Sequence, residues 1–207
     1  MTPRIHPLAG LLAFSAKLIS GARARWFNCL PDPKQRVYFA NHTSHLDLLV
    51  LWASLTPELR SRTRPVAAKD YWGRDAIRRY IASRIFRAVM IERTDGPVAS
   101  HGIMEPLLSA VDDGDSLILF PEGTRGTGEN IAPFKSGLYY LCQTRPELEA
   151  TPVYLENLNR VLPKGAFLPV PLLSRVTFGP PIRLHQDESK VDFLARARAA
   201  MCELRNV

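Results

Sequence analysis

Apolar residues recur along the chain with two different spacings. After Pro31 and Pro33, apolar runs of strand length are separated by segments whose apolar residues repeat with a helical period. The predicted strands are residues 36–40, 65–69, 88–92, 116–120, 150–155 and 171–179. The predicted helices are residues 45–56, 75–86, 97–111, 135–143 and 188–204. This alternation is typical of an α/β fold. We therefore expect a single domain over residues 35–207, with a mixed central sheet flanked by helices.

The first 34 residues differ from the rest because their apolar stretch comes before any predicted strand. Residues 7–16 are uncharged and mostly apolar, but Lys17 ends the stretch well short of the about 20 residues that span a bilayer. One helical face carries Leu8, Leu11, Leu12, Ser15 and Ile19. We predict that residues 1–34 form an amphipathic helical segment that lies on a membrane surface. The alternative is an ordinary amphipathic helix packed on its own domain.

The net positive charge of the chain favours an anionic binding partner. The chain of 207 residues has 27 basic and 20 acidic side chains, and residues 1–36 hold six basic residues against one acidic residue. Lipid head groups, phosphorylated small molecules, nucleic acid and an acidic carrier protein all suit such a balance. Because the basic residues surround an apolar helix and not stacking aromatics, we favour a membrane surface and expect no nucleic acid. The three cysteines lack metal-ligand spacing, so no metal site is predicted.

Two polar motifs directly follow predicted strands. The sequence NHTSHLD (residues 41–47) comes after the first strand, and FPEGTR (residues 120–125) begins at the end of the fourth. Open α/β sheets usually bind ligands beyond the carboxyl ends of their strands. We therefore expect the two motifs to lie at the same edge of the sheet.

In the first motif, His42 and Asp47 suit general-base chemistry. An imidazole that accepts a proton becomes positive, and a neighbouring carboxylate fixes its tautomer and stabilises that charge. The two can meet if His42 lies in the loop and Asp47 in the first helical turn. As an alternative, Ser44 and Asp47 match a capping box, in which Asp47 only satisfies a backbone N–H. A covalent acyl-enzyme finds little support, because the chain has no GxSxG elbow and no cysteine beside a histidine.

In the second motif, Glu122, Gly123, Thr124 and Arg125 form a glycine-containing turn that could bind an anion. Arginine offers a planar fork to phosphate, and glycine lets the backbone approach a ligand closely. The alternative is a surface ion pair between Glu122 and Arg125.

Arg93 follows the strand at residues 88–92 and could add a second guanidinium to the same pocket. It could equally pair with Glu92 or Asp95 on the surface. Lys135 is a weaker third candidate, for which a solvated lysine near a helix start is the favoured interpretation.

Taken in this order, NHTSHLD, the arginine of MIER (Arg93) and FPEGTR resemble the glycerolipid acyltransferase family, which includes 1-acylglycerol-3-phosphate acyltransferases. The resemblance covers residues 35–155. It implies transfer of a fatty acyl chain from acyl-CoA or acyl carrier protein to a lysophospholipid hydroxyl, with no metal or other cofactor. It also implies that His42 is the general base, that Asp47 orients it, and that the second motif binds the acceptor together with Arg93.

The chain departs from the family pattern at two places. A later proline found in many members is missing near Leu155, and a glycine that often precedes the arginine is replaced within Phe86, Arg87 and Ala88. Both departures bear on the choice of acceptor more than on the reaction. The resemblance favours 1-acylglycerol-3-phosphate as acceptor and a location on the cytoplasmic face of the cell membrane. Another lysolipid acceptor and a non-catalytic lipid-binding module remain alternatives.

Overall fold

A computed structural model of the protein describes residues 7–92, 99–128, 130–158 and 173–207. Within these ranges the chain forms one seven-stranded sheet in the order β1-β7-β6-β2-β5-β3-β4. The strands are β1 (Arg23–Trp26), β2 (Arg36–Ala40), β3 (Thr63–Ala68), β4 (Val89–Ile91), β5 (Ser116–Leu119), β6 (Glu149–Glu156) and β7 (Arg175–Phe178). Strands β2 to β6 run parallel, whereas β7 is antiparallel to β6 and carries β1 parallel to itself. The predicted α/β fold with a mixed sheet is confirmed.

Helices cover both faces of the sheet. They are α1 (Pro7–Ser20), α2 (Asp47–Ser54), α3 (Pro57–Ser61), α4 (Lys69–Trp72), α5 (Ala76–Tyr80), a π-helix (Ile81–Ile85), α6 (Ala99–Asp112), α7 (Gly137–Thr144), α8 (Lys190–Glu203) and a final 3₁₀ turn (Leu204–Asn206). Each predicted helix is present with shifted ends, except that residues 75–86 divide into α5 and the π-helix. The short helices α3 and α4 were not predicted, because each covers little more than one turn.

The central strand β2 explains why a continuous apolar run can form a strand. All five of its residues are buried. Tyr38 and Ala40 pack in the layer that contains α1 and α2, whereas Val37 and Phe39 pack in the layer that contains α6, α7 and α8. A strand covered on both faces has no polar side, so its sequence does not alternate.

Strand β1 was missed by the sequence analysis. Its residues Arg23–Trp26 carry two arginines and are largely exposed, so they show no apolar pattern. Charged residues are common on edge strands, where they discourage pairing with other chains. Trp26 stacks on Phe178 of β7 with ring centroids 4.2 Å apart. Part of the segment predicted to precede the domain is therefore built into its sheet.

Helix α1 packs on α2 through small residues and presents large ones outward. Its buried residues are Ala9, Ala13, Ala16 and Ser20. The exposed large residues are Leu8, Leu11, Phe14, Leu18 and Ile19, which are 45% to 70% exposed. Three members of the predicted apolar face, Leu8, Leu11 and Ile19, thus do point away from the domain. No helix in the described ranges is long and apolar enough to cross a membrane.

Candidate active site

The two motifs meet at one edge of the sheet, as predicted. Strands β2 and β5 are parallel neighbours, and Phe39 pairs in register with Leu119. His42 lies three residues beyond Phe39, and Glu122 lies three residues beyond Leu119. The loops that follow the two strands are consequently side by side.

His42 and Asp47 are in direct contact. The imidazole Nδ1 lies 2.9 Å from the Asp47 carboxylate Oδ2, and the Asp47 side chain is fully buried. Asp47 is the first residue of α2, where the helix dipole favours a negative charge. The His42 ring stacks on Phe120 with centroids 4.4 Å apart. With Nδ1 engaged and the ring held flat, Nε2 is the nitrogen available to a substrate hydroxyl.

Asp47 makes the backbone contact that the capping box predicts, and it contacts His42 at the same time. Asp47 Oδ2 also accepts hydrogen bonds from the backbone N–H groups of Thr43 and Ser44, the latter at 2.8 Å. The Ser44 hydroxyl, however, accepts from Leu46 N at 3.3 Å and does not cap α2. One carboxylate therefore shapes the loop and orients the imidazole.

Glu122 holds the backbone of His42 in place. It is only 5% exposed, and its two oxygens accept from His42 N at 2.8 Å and from Ala132 N at 2.9 Å. On the other side of the same residue, Gly126 N–H donates to the His42 carbonyl at 2.8 Å. The alternative of a surface ion pair between Glu122 and Arg125 is therefore wrong, since the glutamate is buried and bonded to backbone.

Gly123 occupies a position that only glycine suits. Its φ is +73°, and a Cβ atom there would lie 2.6 Å from Lys135 Cε. The Lys135 backbone N–H donates to the Pro121 carbonyl at 2.8 Å, which fixes the lysine over the loop. Lys135 is exposed in the structure and was the weakest of the candidates, yet it lies directly against the FPEGTR motif.

Cationic groups gather beside His45, three residues after His42. Thr124 and Arg125 are exposed, and within the described ranges Arg125 has no hydrogen bond or ion pair. Burial, followed by the charges of Arg125, His42 and Arg78, lowers the pKa of His45. His45 stacks on Tyr71 at 5.0 Å, and the Arg78 guanidinium lies 4.7 Å from the centroid of that tyrosine ring. Arg93, the other predicted cation, lies outside the described residues.

Asn41 is a site residue whose role the sequence did not reveal beyond support of the loop. Its side chain accepts from Leu155 N at 2.7 Å and donates to the Leu155 carbonyl at 3.0 Å. The amide thus continues the pairing of β2 with β6 past the end of the strand. The only signal in the sequence was its place between the strand and His42.

The family model described as Acyltransferase matches residues 28–155. This chain belongs to that family. The matched segment contains β2 to β5 and most of β6, together with His42, Asp47 and the whole FPEGTR motif. The family predicted from the two motifs is confirmed.

Among individual relatives, the chain is similar to proteins named 1-acyl-sn-glycerol-3-phosphate acyltransferase. It is 26% identical to the one from Limnanthes douglasii over 163 residues, which cover 77% of this chain and 53% of that protein. It is 29% identical to the one from Cocos nucifera, over 75% of this chain and 49% of that protein. The protein of that name from Haemophilus influenzae is 28% identical over 58% of this chain and 54% of its own length. The chain thus spans about half the length of these relatives.

Among solved structures, the fold is similar to the 1-acyl-sn-glycerophosphate (LPA) acyltransferase PlsC from Thermotoga maritima. The TM-score is 0.73 over 96% of this chain and 77% of the other, at 16% sequence identity. The two chains therefore share a fold.

Proposed function

We propose that this protein transfers a fatty acyl chain from an acyl thioester to the free hydroxyl of 1-acylglycerol-3-phosphate. The donor is acyl-CoA or acyl carrier protein, and His42 is the general base. The observation that carries the proposal is the 2.9 Å contact between His42 Nδ1 and the buried Asp47 carboxylate. The names of the relatives supply the acceptor class.

The chemistry follows from the orientation of the imidazole. When Nδ1–H donates to Asp47, Nε2 carries a lone pair that can accept the proton of the acceptor hydroxyl. The hydroxyl oxygen then attacks the thioester carbonyl carbon, the carbon–sulfur bond breaks, and the thiolate leaves. The imidazolium returns its proton to the departing sulfur. Asp47 stabilises the imidazolium between these two events, at a site where water has no access to the carboxylate.

We assign the acceptor phosphate to the cations around FPEGTR. Arg125 has no carboxylate partner among the described residues, and Lys135 lies over Gly123. Glu122 supports this arrangement from beneath, because its hydrogen bonds to His42 N and Ala132 N hold the loops together. A phosphate bound by Arg125 would place a hydroxyl of the same molecule within the oriented geometry that accelerates acyl transfer.

We further propose that the protein works on the cytoplasmic surface of the cell membrane. Leu11, Phe14 and Leu18 are each at least 63% exposed on α1, while small residues of that helix face α2. A stripe of large apolar residues in water is unfavourable, and the hydrocarbon of a lipid layer would cover it. Such a location brings the enzyme to a lysolipid that resides in the membrane.

The test is release of free thiol from palmitoyl-CoA in the presence of lysophosphatidate in detergent. His42→Ala should lower kcat by about 10²- to 10⁴-fold, the range expected for loss of a general base. His185→Ala, an exposed histidine near the start of α8, is the matched control and should keep full activity. Turnover that survives His42→Ala would remove this residue from the mechanism.

The acceptor assignment needs a second measurement. Arg125→Ala should raise KM for lysophosphatidate more than KM for the thioester, since only the acceptor phosphate is expected to contact Arg125. An equal effect on both constants would contradict the assigned role. No turnover by the intact protein with any lysolipid head group, using either thioester donor, would favour a lipid-binding module.

A further inference from the structure

A partly open cavity of about 140 Å³ lies under α1, and the proposed reaction does not use it. Its lining includes Ala9 and Gly10 of α1, Trp52 of α2, Arg60 of α3, and Arg84 of the π-helix. A single water needs about 10–15 Å³ of such space, so the cavity has room for a group of several heavy atoms.

The cavity is remote from His42. It is also lined by Thr63, the first residue of β3, and by Arg87, which precedes β4. These residues mark the amino ends of the parallel strands. His42 and Glu122 follow the carboxyl ends of β2 and β5, at the opposite edge of the sheet.

The lining is cationic. Of the described residues that line the cavity, Arg60, Arg84 and Arg87 are basic and none is acidic. Asp115, from outside the lining, accepts a hydrogen bond from Arg87 at 2.8 Å. Arg84 is exposed and has no ion pair in the described part of the chain. One of the three charges is thus compensated within the protein.

Arg60 is the most constrained of these cations. Its guanidinium lies 5.2 Å from the Trp52 ring centroid and donates to the Leu55 carbonyl at 3.0 Å, but meets no carboxylate among the described residues. Burial lowers the pKa of Arg60. Arg60 Nε and Trp52 Nε1 are buried without a hydrogen-bond partner, and Trp52 is only 2% exposed. A partly buried charge without a counter-ion is unfavourable, and an anion in the cavity would supply the carboxylate-like partner that Arg60 lacks.

The mouth of the cavity adjoins the exposed apolar face of α1. Gly10 is exposed and lines the cavity, and Phe14 lies one helical turn further along the same side. A molecule with an anionic group in the cavity could therefore extend an apolar chain past Leu11 and Phe14.

We propose that this cavity binds the phosphate of an anionic phospholipid, distinct from the acyl acceptor at His42. Arg60 and Arg84 contact the phosphate, and the acyl chains of the lipid run along Leu11 and Phe14. The site would hold α1 to the membrane surface through a specific head group as well as through its apolar side chains.

Binding of short-chain lipid to the full-length protein, without a thioester, tests the proposal. Dihexanoyl phosphatidylglycerol is titrated below its micelle concentration, and tryptophan fluorescence is followed. We expect saturable binding. Arg84→Gln should raise Kd by about fivefold, because it removes one partly exposed ion pair with the lipid phosphate. Arg23→Gln is the matched control, an exposed arginine on β1 outside the lining, and should bind normally.

Gly10→Leu provides a variant that should fold while closing the cavity. A Cβ at Gly10 meets nothing within 4 Å, and leucine favours a helix over glycine. We expect its circular dichroism to match the parent and its saturable lipid binding to be lost. Full binding by both Gly10→Leu and Arg84→Gln would overturn the site.

Titrations with two further ligands show which part of the lipid the cavity recognises. Dihexanoyl phosphatidylcholine has the same chains without net charge, and equal binding would overturn the role of the arginines. Inorganic phosphate lacks the chains, and equal affinity for it would overturn the assignment to a lipid. Because no step depends on turnover, the outcome is independent of whether His42 is the base.

Discussion

Gly123 shows how a single position shapes the proposed acceptor site. Its φ of +73° is strained for any other residue, and a Cβ would lie 2.6 Å from Lys135 Cε. Gly123→Ala should lower the free energy of unfolding by about 1–3 kcal/mol. Gly137→Ala, at the start of α7 where a Cβ meets nothing within 4 Å, should be neutral or stabilising by up to about 1 kcal/mol. Urea denaturation of both variants measures the difference, and equal effects would contradict this account of the loop.

The pKa of His45 reports on the charge of Arg125. This pKa is lowered by burial first and by Arg125 next. Arg125→Ala should therefore raise the pKa of His45, because a neighbouring positive charge no longer opposes protonation. NMR titration of the His45 ring protons measures this shift, with Arg23→Ala as the control variant. An unchanged titration would show that Arg125 does not face this part of the site.

At the scale of elements, α1 inverts the usual arrangement of a surface helix. Small residues such as Ala9 and Ala13 pack against α2, which lets the two helices approach closely, while Phe14 and Leu18 stay in contact with solvent. Most surface helices bury their large apolar residues. The packing therefore separates two roles: the small face attaches α1 to the domain, and the large face is the one that we propose contacts lipid.

The large face can be tested without disturbing the small one. The triple variant Leu11→Ser, Phe14→Ser, Leu18→Ser should reduce co-sedimentation with anionic vesicles and leave the unfolding transition largely intact. The matched control replaces three exposed apolar residues elsewhere: Leu30, Leu173 and Val191, which are 71% to 79% exposed. Vesicle binding that is undiminished in the α1 variant would refute the assignment. Deletion of residues 1–28 is a poorer test, because it would remove β1 from the sheet.

At the scale of the whole molecule, the site depends on contacts between distant parts of the chain. Asn41 and Leu155 are 114 residues apart, yet the two hydrogen bonds between them continue the β2–β6 pairing at the base of the His42 loop. The loop after β2 is thereby tied to β6, and the bonds of His42 to Glu122 and Gly126 tie it to the loop after β5.

Asn41→Ala should weaken the connection of the His42 loop to β6. The buried N–H and C=O of Leu155 would lose their partner, which costs about 1–3 kcal/mol of unfolding free energy. We also expect lower kcat, since the backbone that carries His42 would shift. Gln143→Ala removes an exposed amide on α7 and should change stability by less than about 0.5 kcal/mol. A loss of stability no larger than that of the control would contradict the role of Asn41.

The sequence by itself determined most of the order of strands and helices along the chain, without β1, α3 and α4, and the edge of the sheet at which the motifs lie. The spacing of apolar residues and the positions of turn residues are local signals that involve only a few neighbouring residues. They therefore predicted β2, β5 and the helices at residues 97–111 and 188–204 to within a few positions. The motif match likewise depends on residue type and spacing alone.

Only the tertiary structure decided what the side chains at that edge do. Glu122 was predicted to bind the acceptor, but its oxygens are bonded to His42 and Ala132 backbone. Strand β1 exists because β7 lies beside it, and Arg60 is partly buried next to Trp52 with no carboxylate partner among the described residues. These outcomes depend on partners that are far apart in the chain or on which face of a helix is covered, and local pattern carries neither kind of information.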